Sequence, residues 1–482
     1  MMKTGASIKL IIKREGNLVP YDRDRIATAI FRAMASIPAG RTSASSPRPA
    51  FAPSSGRGEL GAKAGEPQAG KKTDRKLADA ISLDVERSLL NSGGRDAAPS
   101  VEEIQDIVEK ILLEKGQAET ARAYMAYRSQ RAQARSSRES SFEVTDNIPY
   151  KKIYEVLRWN INHGCDSLHG LNQIIAKKRF FNLVRDSDKR YDDELTHCAH
   201  LIIKKREKAR VIIVAGPSSS GKTTTTMKLG EKLKKAGIEF KSLIMDNYFF
   251  DLEKHPKDEF GDYDYESPQS LDLALINEHL HALLEGKTVQ TPVYNFKTGQ
   301  RTLNAQSMNL EQNQLLLLDS LHGLFSEMTK GIPSASIFKI YIETLGQLRS
   351  DDGIFMRWAD NRLMRRMIRD RLHRNSQPTA TLTHWHYVRR SELQNIIPFI
   401  ATADFLVNSA LPYELPILKH KVFKYFPKAM EYYREDAYHQ DAYIRAKRIY
   451  EFLAPLREIA DTTMIPDDSL LREFIGGSRY EC

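Results

Sequence analysis

The sequence predicts an α/β protein in which helices flank a parallel sheet around a phosphate-binding loop, with a small α+β domain and a helical connector ahead of it. Three observations predict it. The apolar run Val211–Val214 breaks into a glycine-serine turn, followed at once by Lys222, threonines and the helix-forming KLGEKLKK, which is the order strand, loop, helix. Further strand-like stretches follow, IEFKSLIM, LLLL and DFLVNSAL, the first two closed by the carboxylates Asp246 and Asp319. Ahead of the loop, a short apolar run and several amphipathic helices carry caps of their own.

The loop, residues 216–223, fits GxxxxGK[ST]. Gly216 and Gly221 let backbone N–H groups face a polyphosphate, and the helix that follows adds the positive end of its dipole. Lys222 would reach the β- and γ-phosphates, and Thr223 would place its hydroxyl on Mg²⁺. Asp246, at the carboxyl end of the next strand, stands where α/β folds assemble their sites; it could take a proton from an attacking hydroxyl or hold Mg²⁺.

At 482 residues the chain has room for roughly two to four domains. Cys165, Cys198 and Cys482 form no CxxC pair, which predicts a reducing compartment without a disulfide framework or a cysteine metal site. No apolar run reaches membrane-span length and the amino terminus has no signal-peptide core, so a cytoplasmic protein is expected. The net charge of +10 invites a nucleic-acid partner, but residues 38–76 alone hold eight Lys/Arg against three Asp/Glu, so charge gives little support for one.

In chain order, IKLIIKR reads as a strand, EGNLVPYD as a turn and second strand, and DRDRIATAIFRAMAS as a helix capped by Asp22, with Ile26, Ile30 and Met34 at helical spacing. A second helix is expected near 77–91. Ser100 and Glu103 make a capping box before VEEIQDIVEKILLEKG, Gly116 stops that helix, and AETARAYMAYRSQR forms another. Residues 38–76, rich in Pro, Ala, Gly and Ser, read as a disordered insertion that lengthens a surface loop. A polar linker follows at 133–148. IPYKKIYEVLRWNIN, LHGLNQIIAKKRFFNLV and DELTHCAHLIIKKREKA then read as three amphipathic helices up to residue 204. Among them His163, His169, His197 and His200 lack the spacing of a closed metal site.

KREGNLVPYDRDRI, VEEIQDIVEKIL and AYMAYRSQR together resemble an ATP-cone, the regulatory nucleotide-binding domain at the amino end of ribonucleotide reductases and of their repressor, over residues 6–132. The resemblance implies nucleotide contacts at Lys13, Arg14 and Arg25.

A second resemblance spans residues 205–415. GPSSSGKT, MDNYF, YDYESPQSLD, PVYNFKTGQR, LLLLDSLHGL and RLMRRMIRDRLHR appear in the order of the uridine kinase and phosphoribulokinase family of P-loop kinases, a fold of the P-loop NTPase type. An ATP-cone joined to such a domain is similar to a bacterial group of larger uridine or nucleoside kinases. The family pattern implies ATP on Gly216, Pro217, Ser218, Ser219, Ser220, Gly221, Lys222, Thr223 and Thr224, with Arg374 joining from the arginine-rich segment. It implies Asp246 as general base, Tyr248, Glu266, Tyr294, Phe296 and Arg301 around the acceptor, and Asp319 with Thr223 at Mg²⁺. Glu266 and Asp319 stand where the family has aspartate and glutamate. Arg362, Arg365, Arg366, Arg369 and Arg374 fall in its lid segment, with Arg366, Arg369 and Arg374 at the phosphate-facing positions. Gly299 replaces a pyrimidine-reading histidine and Ser376 a further arginine, so uridine specificity is less well founded than the chemistry.

Past the lid, His384, Trp385 and His386 read as helix packing, and residues 416–482, with tyrosines from Tyr425 to Tyr450, as helices on the core or on a second subunit. The expected activity is ATP-dependent phosphorylation of a nucleoside 5′-hydroxyl, uridine first and cytidine second, as in pyrimidine salvage, with nucleotide control through the cone. Another nucleoside, or a sugar phosphate as in phosphoribulokinase, is the alternative acceptor. A nucleotide-responsive regulator that binds nucleic acid is the alternative of another class.

Overall fold

The computed structural model describes residues 8–12, 18–37, 69–92, 98–139, 147–256, 266–296, 298–374, 377–436 and 439–480. It divides into two compact units, residues 1–143 with 428–444, and residues 144–427 with 445–482.

In the first unit, β1 (Leu10–Ile12) pairs antiparallel with β2 (Leu18–Pro20), and four helices follow: α1 (Arg23–Ala35), α2 (Ala69–Ser92), α3 (Val101–Glu114) and α4 (Ala118–Glu139). Asp22 caps α1 by accepting from Asp24 N–H, and Ser100 with Glu103 closes both arms of the capping box on α3. Ile30, Phe31, Ile81, Val85, Val108 and Leu112 meet in the core. The insertion expected over 38–76 ends earlier, because α2 begins at Ala69. Arg75, 1% exposed, ion-pairs with Asp24 at 2.7 Å and Asp79 at 3.3 Å and lies 5.7 Å from the Phe31 ring. A cation assigned to the disordered insertion is thus a paired core residue. Residues 38–68 lie outside the described residues.

The second unit opens with α5 (Tyr150–Asn162), α6 (Leu168–Ala176) and α7 (Phe180–Lys205). The sequence reading joins residues 168–184 in one helix. The structure breaks it at Lys178, whose φ of 56° is left-handed, and Arg179 N–H returns to Ile174 O at 3.0 Å to satisfy the end of α6. The helix α7 then takes in both the end of that segment and most of the next, stopping at Lys205.

The main sheet has the order β4-β7-β3-β8-β9 and is parallel throughout: β3 (Val211–Ala215), β4 (Glu239–Ile244), β7 (Gln314–Ser320), β8 (Ile337–Glu343) and β9 (Phe405–Asn408). Its central strands are buried on both faces, as helix-covered parallel sheets require. Between β3 and β4 runs α8 (Lys222–Lys235); α9 (Leu273–Leu284) and the antiparallel hairpin β5 (Val289–Asn295) and β6 (Gln300–Met308) come before β7. After β8 come α10 (Trp358–Arg374) and α11 (Pro378–Ser391), and after β9 come α12 (Glu414–Val422), α13 (Tyr425–Arg434), α14 (Gln440–Leu453) and the single turn α15 (Arg472–Ile475). Val214 and Ile244 both register with Asp319, so the loop after β3, the turn after β4 and the last residues of β7 share the carboxyl edge of the sheet.

Candidate functional site

The phosphate loop owes its shape to two glycines and one strained serine. A Cβ on Gly216 would lie 2.4 Å from Ile342 O, so only glycine lets the loop leave β3 that close to β8. Gly221 has φ +94° and Ser219 φ 61°, both left-handed. Ser220 N–H donates to Pro217 O at 3.1 Å, and Lys222 Nζ donates to Gly216 O at 2.9 Å. Ser219 Oγ and Ser220 Oγ are buried and meet no partner among the described residues. A ring of buried, polar, positively biased groups at a helix start is chemically suited to a polyphosphate.

The carboxylates gather at the same edge. Asp246 occupies the 3₁₀ turn after β4 and is exposed. Burial pushes the Asp319 carboxyl up to about 6; Lys222 opposes the shift, and Asp246 and Glu473 add to it. That like-charge crowding is what a cation would relieve. Thr223, at the start of α8, and Asp319, near the end of β7, are the two residues that could each offer an oxygen to Mg²⁺, which keeps waters and phosphate oxygens for its other positions. Among the described residues no group of three or more His, Cys, Asp or Glu could hold a metal, so a cation here would rest on the pair and on a bound phosphate.

The arginine-rich segment is α10, and the structure splits it by role. Arg362, fully buried, pairs with Glu343 at 2.8 Å and with Glu392, and donates to Ser218 O at 3.2 Å. Arg365 pairs with Glu414 at 2.7 Å and donates to Ser409 O at 2.7 Å. These two tie α10 to the sheet and the loop. Arg366 donates to Ser218 Oγ at 3.1 Å and approaches Glu266 at 3.4 Å, which brings a lid cation, a loop hydroxyl and the expected ribose-binding carboxylate together. Arg369 lies one helical turn on, 3.7 Å from Asp370. Arg374 closes α10. Ser376 lies outside the described residues.

Around the expected acceptor side, Tyr294 is buried and Phe296 is 63% exposed; their ring centroids are 5.0 Å apart and edge-on. Phe249 packs 5.5 Å from Tyr294, and His255 stacks on Tyr294 at 6.4 Å. Asn247 Oδ1 accepts from Tyr294 N–H at 3.2 Å, which links this cluster to the turn of Asp246. Arg301 ion-pairs with Asp272, the cap of α9, at 2.9 Å. Tyr248 turns away into the core, fully buried, with its hydroxyl 2.8 Å from His279 Nδ1. Gly299 has φ +67°, and a Cβ there would meet Leu252 Cβ at 2.9 Å, so the hairpin turn itself requires glycine.

Two histidines at this edge are given no role by the motifs, although His322 lies within LLLLDSLHGL. His255 enters the aromatic cluster from a loop with no motif of its own. His322, three residues after Asp319 and 4% exposed, has its ring held neutral by burial, down to about 4. In the first unit, Arg25 is exposed and pairs with Asp22 at 3.6 Å; Lys13 and Arg14 lie outside the described residues. Trp385 on α11 is buried with the Arg362 guanidinium 5.8 Å from its ring, a packing position. No described helix is long and apolar enough to cross a membrane.

Residues 211–413 match the model of the Phosphoribulokinase / Uridine kinase family, and residues 62–133 match that of the ATP cone domain. The uridine kinase of Deinococcus deserti is 29% identical over 198 residues, 41% of this chain and 86% of its own length. The uridine kinase of Bacillus pumilus is 28% identical over 203 residues, 42% of this chain and 87% of its own. The solved "Structure of a Possible Uridine Kinase from Bacillus stearothermophilus" aligns at 16% identity and TM-score 0.31, over 45% of this chain and 98% of that one.

Proposed function

The chain is an ATP-dependent kinase that joins a phosphoribulokinase/uridine kinase family domain to an ATP-cone domain, and from that premise we propose that its acceptor is the 5′-hydroxyl of a nucleoside, uridine first and cytidine second. The observation that carries this reading is the shared strand edge. The loop of Lys222, the carboxylates Asp246 and Asp319 and the Arg366–Glu266 pair gather there, and Asn247 links it to the rings of Tyr294, Phe296, Phe249 and His255. Flat rings favour a base over a sugar phosphate.

In this reading Asp246 accepts the proton of the 5′-hydroxyl as its oxygen attacks the γ-phosphorus and ADP leaves in line, a role worth roughly 10²–10⁴ in rate. Lys222, Arg366 and Arg369 hold the charge that develops on the phosphoryl oxygens. Thr223 and Asp319 would hold Mg²⁺, which would supply neutralisation of phosphate charge. Glu266 accepts from the ribose hydroxyls, and Arg366 at 3.4 Å positions it. The cone is the proposed site of a second, regulatory nucleotide.

The test is phosphoryl transfer from ATP with Mg²⁺ to uridine, cytidine, adenosine, guanosine, thymidine and ribulose 5-phosphate, with Asp246→Asn alongside. Turnover of uridine and cytidine that drops by at least about 10² in Asp246→Asn is expected. A preference for ribulose 5-phosphate or a purine nucleoside would overturn the acceptor. Salt-sensitive DNA binding without transfer to any acceptor would overturn the catalytic reading.

A further inference from the structure

The helix α8 gives its first internal bond from Thr225 N–H to Gly221 O at 3.1 Å, so the N–H groups of Lys222, Thr223 and Thr224 fall to partners outside the helix. In a loop of this pattern those donors and the dipole behind them serve the nucleotide phosphates. Thr224 has already committed both of its donors. Its N–H at 3.1 Å and its Oγ1 at 2.8 Å meet one oxygen of Glu473. Thr224 is fully buried and Glu473 is 6% exposed, so no water competes for the bond.

Glu473 arrives from α15, about 250 residues down the chain, and its segment is fastened to the loop at several points. Leu470 packs on Gly221 so closely that a Cβ there would lie 2.6 Å from Leu470 Cδ1. Asp468 pairs with Lys228 of α8 at 2.9 Å, and the Phe474 ring lies 4.9 Å from the Arg365 guanidinium. A carboxylate presents the same charge sign and the same acceptor oxygen as a phosphate. Two such anions do not share one pair of donors in a buried site.

We propose that segment Asp468–Ile475 is an internal competitor for nucleotide: Glu473 stands in for a phosphate on Thr224, and ATP or ADP binds as Glu473 leaves it. This rests on the kinase reading of the loop. The segment thereby sets nucleotide affinity, and whatever holds or releases it sets how much of the enzyme is competent.

The experiment measures binding of a fluorescent ADP analogue to the full chain and to Glu473→Gln, which keeps an acceptor oxygen and removes the charge. It also follows hydrogen exchange of residues 468–476 in the unaltered chain with and without ADP. Removal of the competitor is expected to tighten binding by roughly tenfold, within the range usual for couplings inside one protein. ADP is expected to speed exchange across 468–476. Equal or weaker binding by Glu473→Gln, with exchange unchanged by ADP, makes Glu473 a structural cap of α8 and overturns the proposal while leaving the kinase reading intact. If Glu473→Gln does not fold, the exchange measurement decides alone. If neither form binds ADP, both readings fall.

Discussion

At the residue scale, burial without full pairing marks the groups whose protonation the fold controls. Asp188 on α7 accepts from Tyr413 Oη at 2.8 Å and Ser469 Oγ at 3.2 Å, but its second oxygen is buried and meets no partner among the described residues, and burial pushes the carboxyl up to about 6. The folded chain therefore holds this proton more tightly than the unfolded chain does. Its contribution to stability is full below about pH 4 and is lost as pH rises through about 6. His322 and His384, each held down to about 4 chiefly by burial, act oppositely and lose stability as pH falls from about 6.5 to 4. Asp188→Asn should remove only the first effect. Denaturant unfolding should show the variant gaining on the parent by roughly 1–3 kcal/mol between pH 4 and 7; a constant difference across that range would refute the assignment. The arginines of α10 divide in the same way. Arg362→Ala removes the buried cation of Glu343, leaves Glu392 with Arg389 alone, and should cost about 3–5 kcal/mol of stability. Arg366→Ala should instead fold normally and lose on the order of 10³ in kcat. If the two variants exchanged these phenotypes, the division of α10 into anchor and site would be wrong.

At the element scale, what the sequence made legible was governed by local rules, and what it hid was governed by distant ones. The caps of α1 and α3 follow from Asp22 and from Ser100 with Glu103, because a cap is satisfied within a few residues of itself. The order strand, loop, helix from β3 to α8 is equally local. The break between α6 and α7 is hidden because the apolar period runs on through Lys177 and Lys178, and only the left-handed φ of Lys178 marks the stop. The strand β8 carries no motif that marks it in the sequence, although it lies beside β3 and sets the need for glycine at 216. The core position of Arg75, inside the stretch that reads as an insertion, is hidden because Asp24 and the Phe31 ring lie more than forty residues away. Lys178 offers a test of this kind of reading. A non-glycine residue in the left-handed region costs about 1–2 kcal/mol, part of which glycine returns in the flexibility of the unfolded chain. Lys178→Gly should raise unfolding free energy by about 0.5–1 kcal/mol in urea. A loss of stability would mean that the lysine side chain does more at that corner than tolerate it.

At the scale of the whole molecule, the motifs legible in the sequence are those for which a phosphate or an aromatic base is the proposed ligand, since a ligand imposes residue types at fixed spacing. The contact of Glu473 with Thr224 imposes none, because a carboxylate from any later helix could serve; it became visible only once the chain was folded. The same logic bears on the two units. One holds the ATP-cone match and the other the phosphate loop, so the chain has two candidate places for a nucleotide. ATP titration followed by calorimetry should then give two sites per chain. Lys222→Ala should remove the one in the kinase domain and leave the other. If the cone nucleotide changes the affinity of the kinase site, linkage requires the kinase nucleotide to change the cone affinity by the same factor. The cone isotherm should therefore differ between the parent with its kinase site saturated and Lys222→Ala, by the factor that cone occupancy imposes on KM for ATP where KM reports binding. One site in the parent and none in Lys222→Ala would assign all nucleotide binding to the loop after β3 and leave the cone without a regulatory ligand.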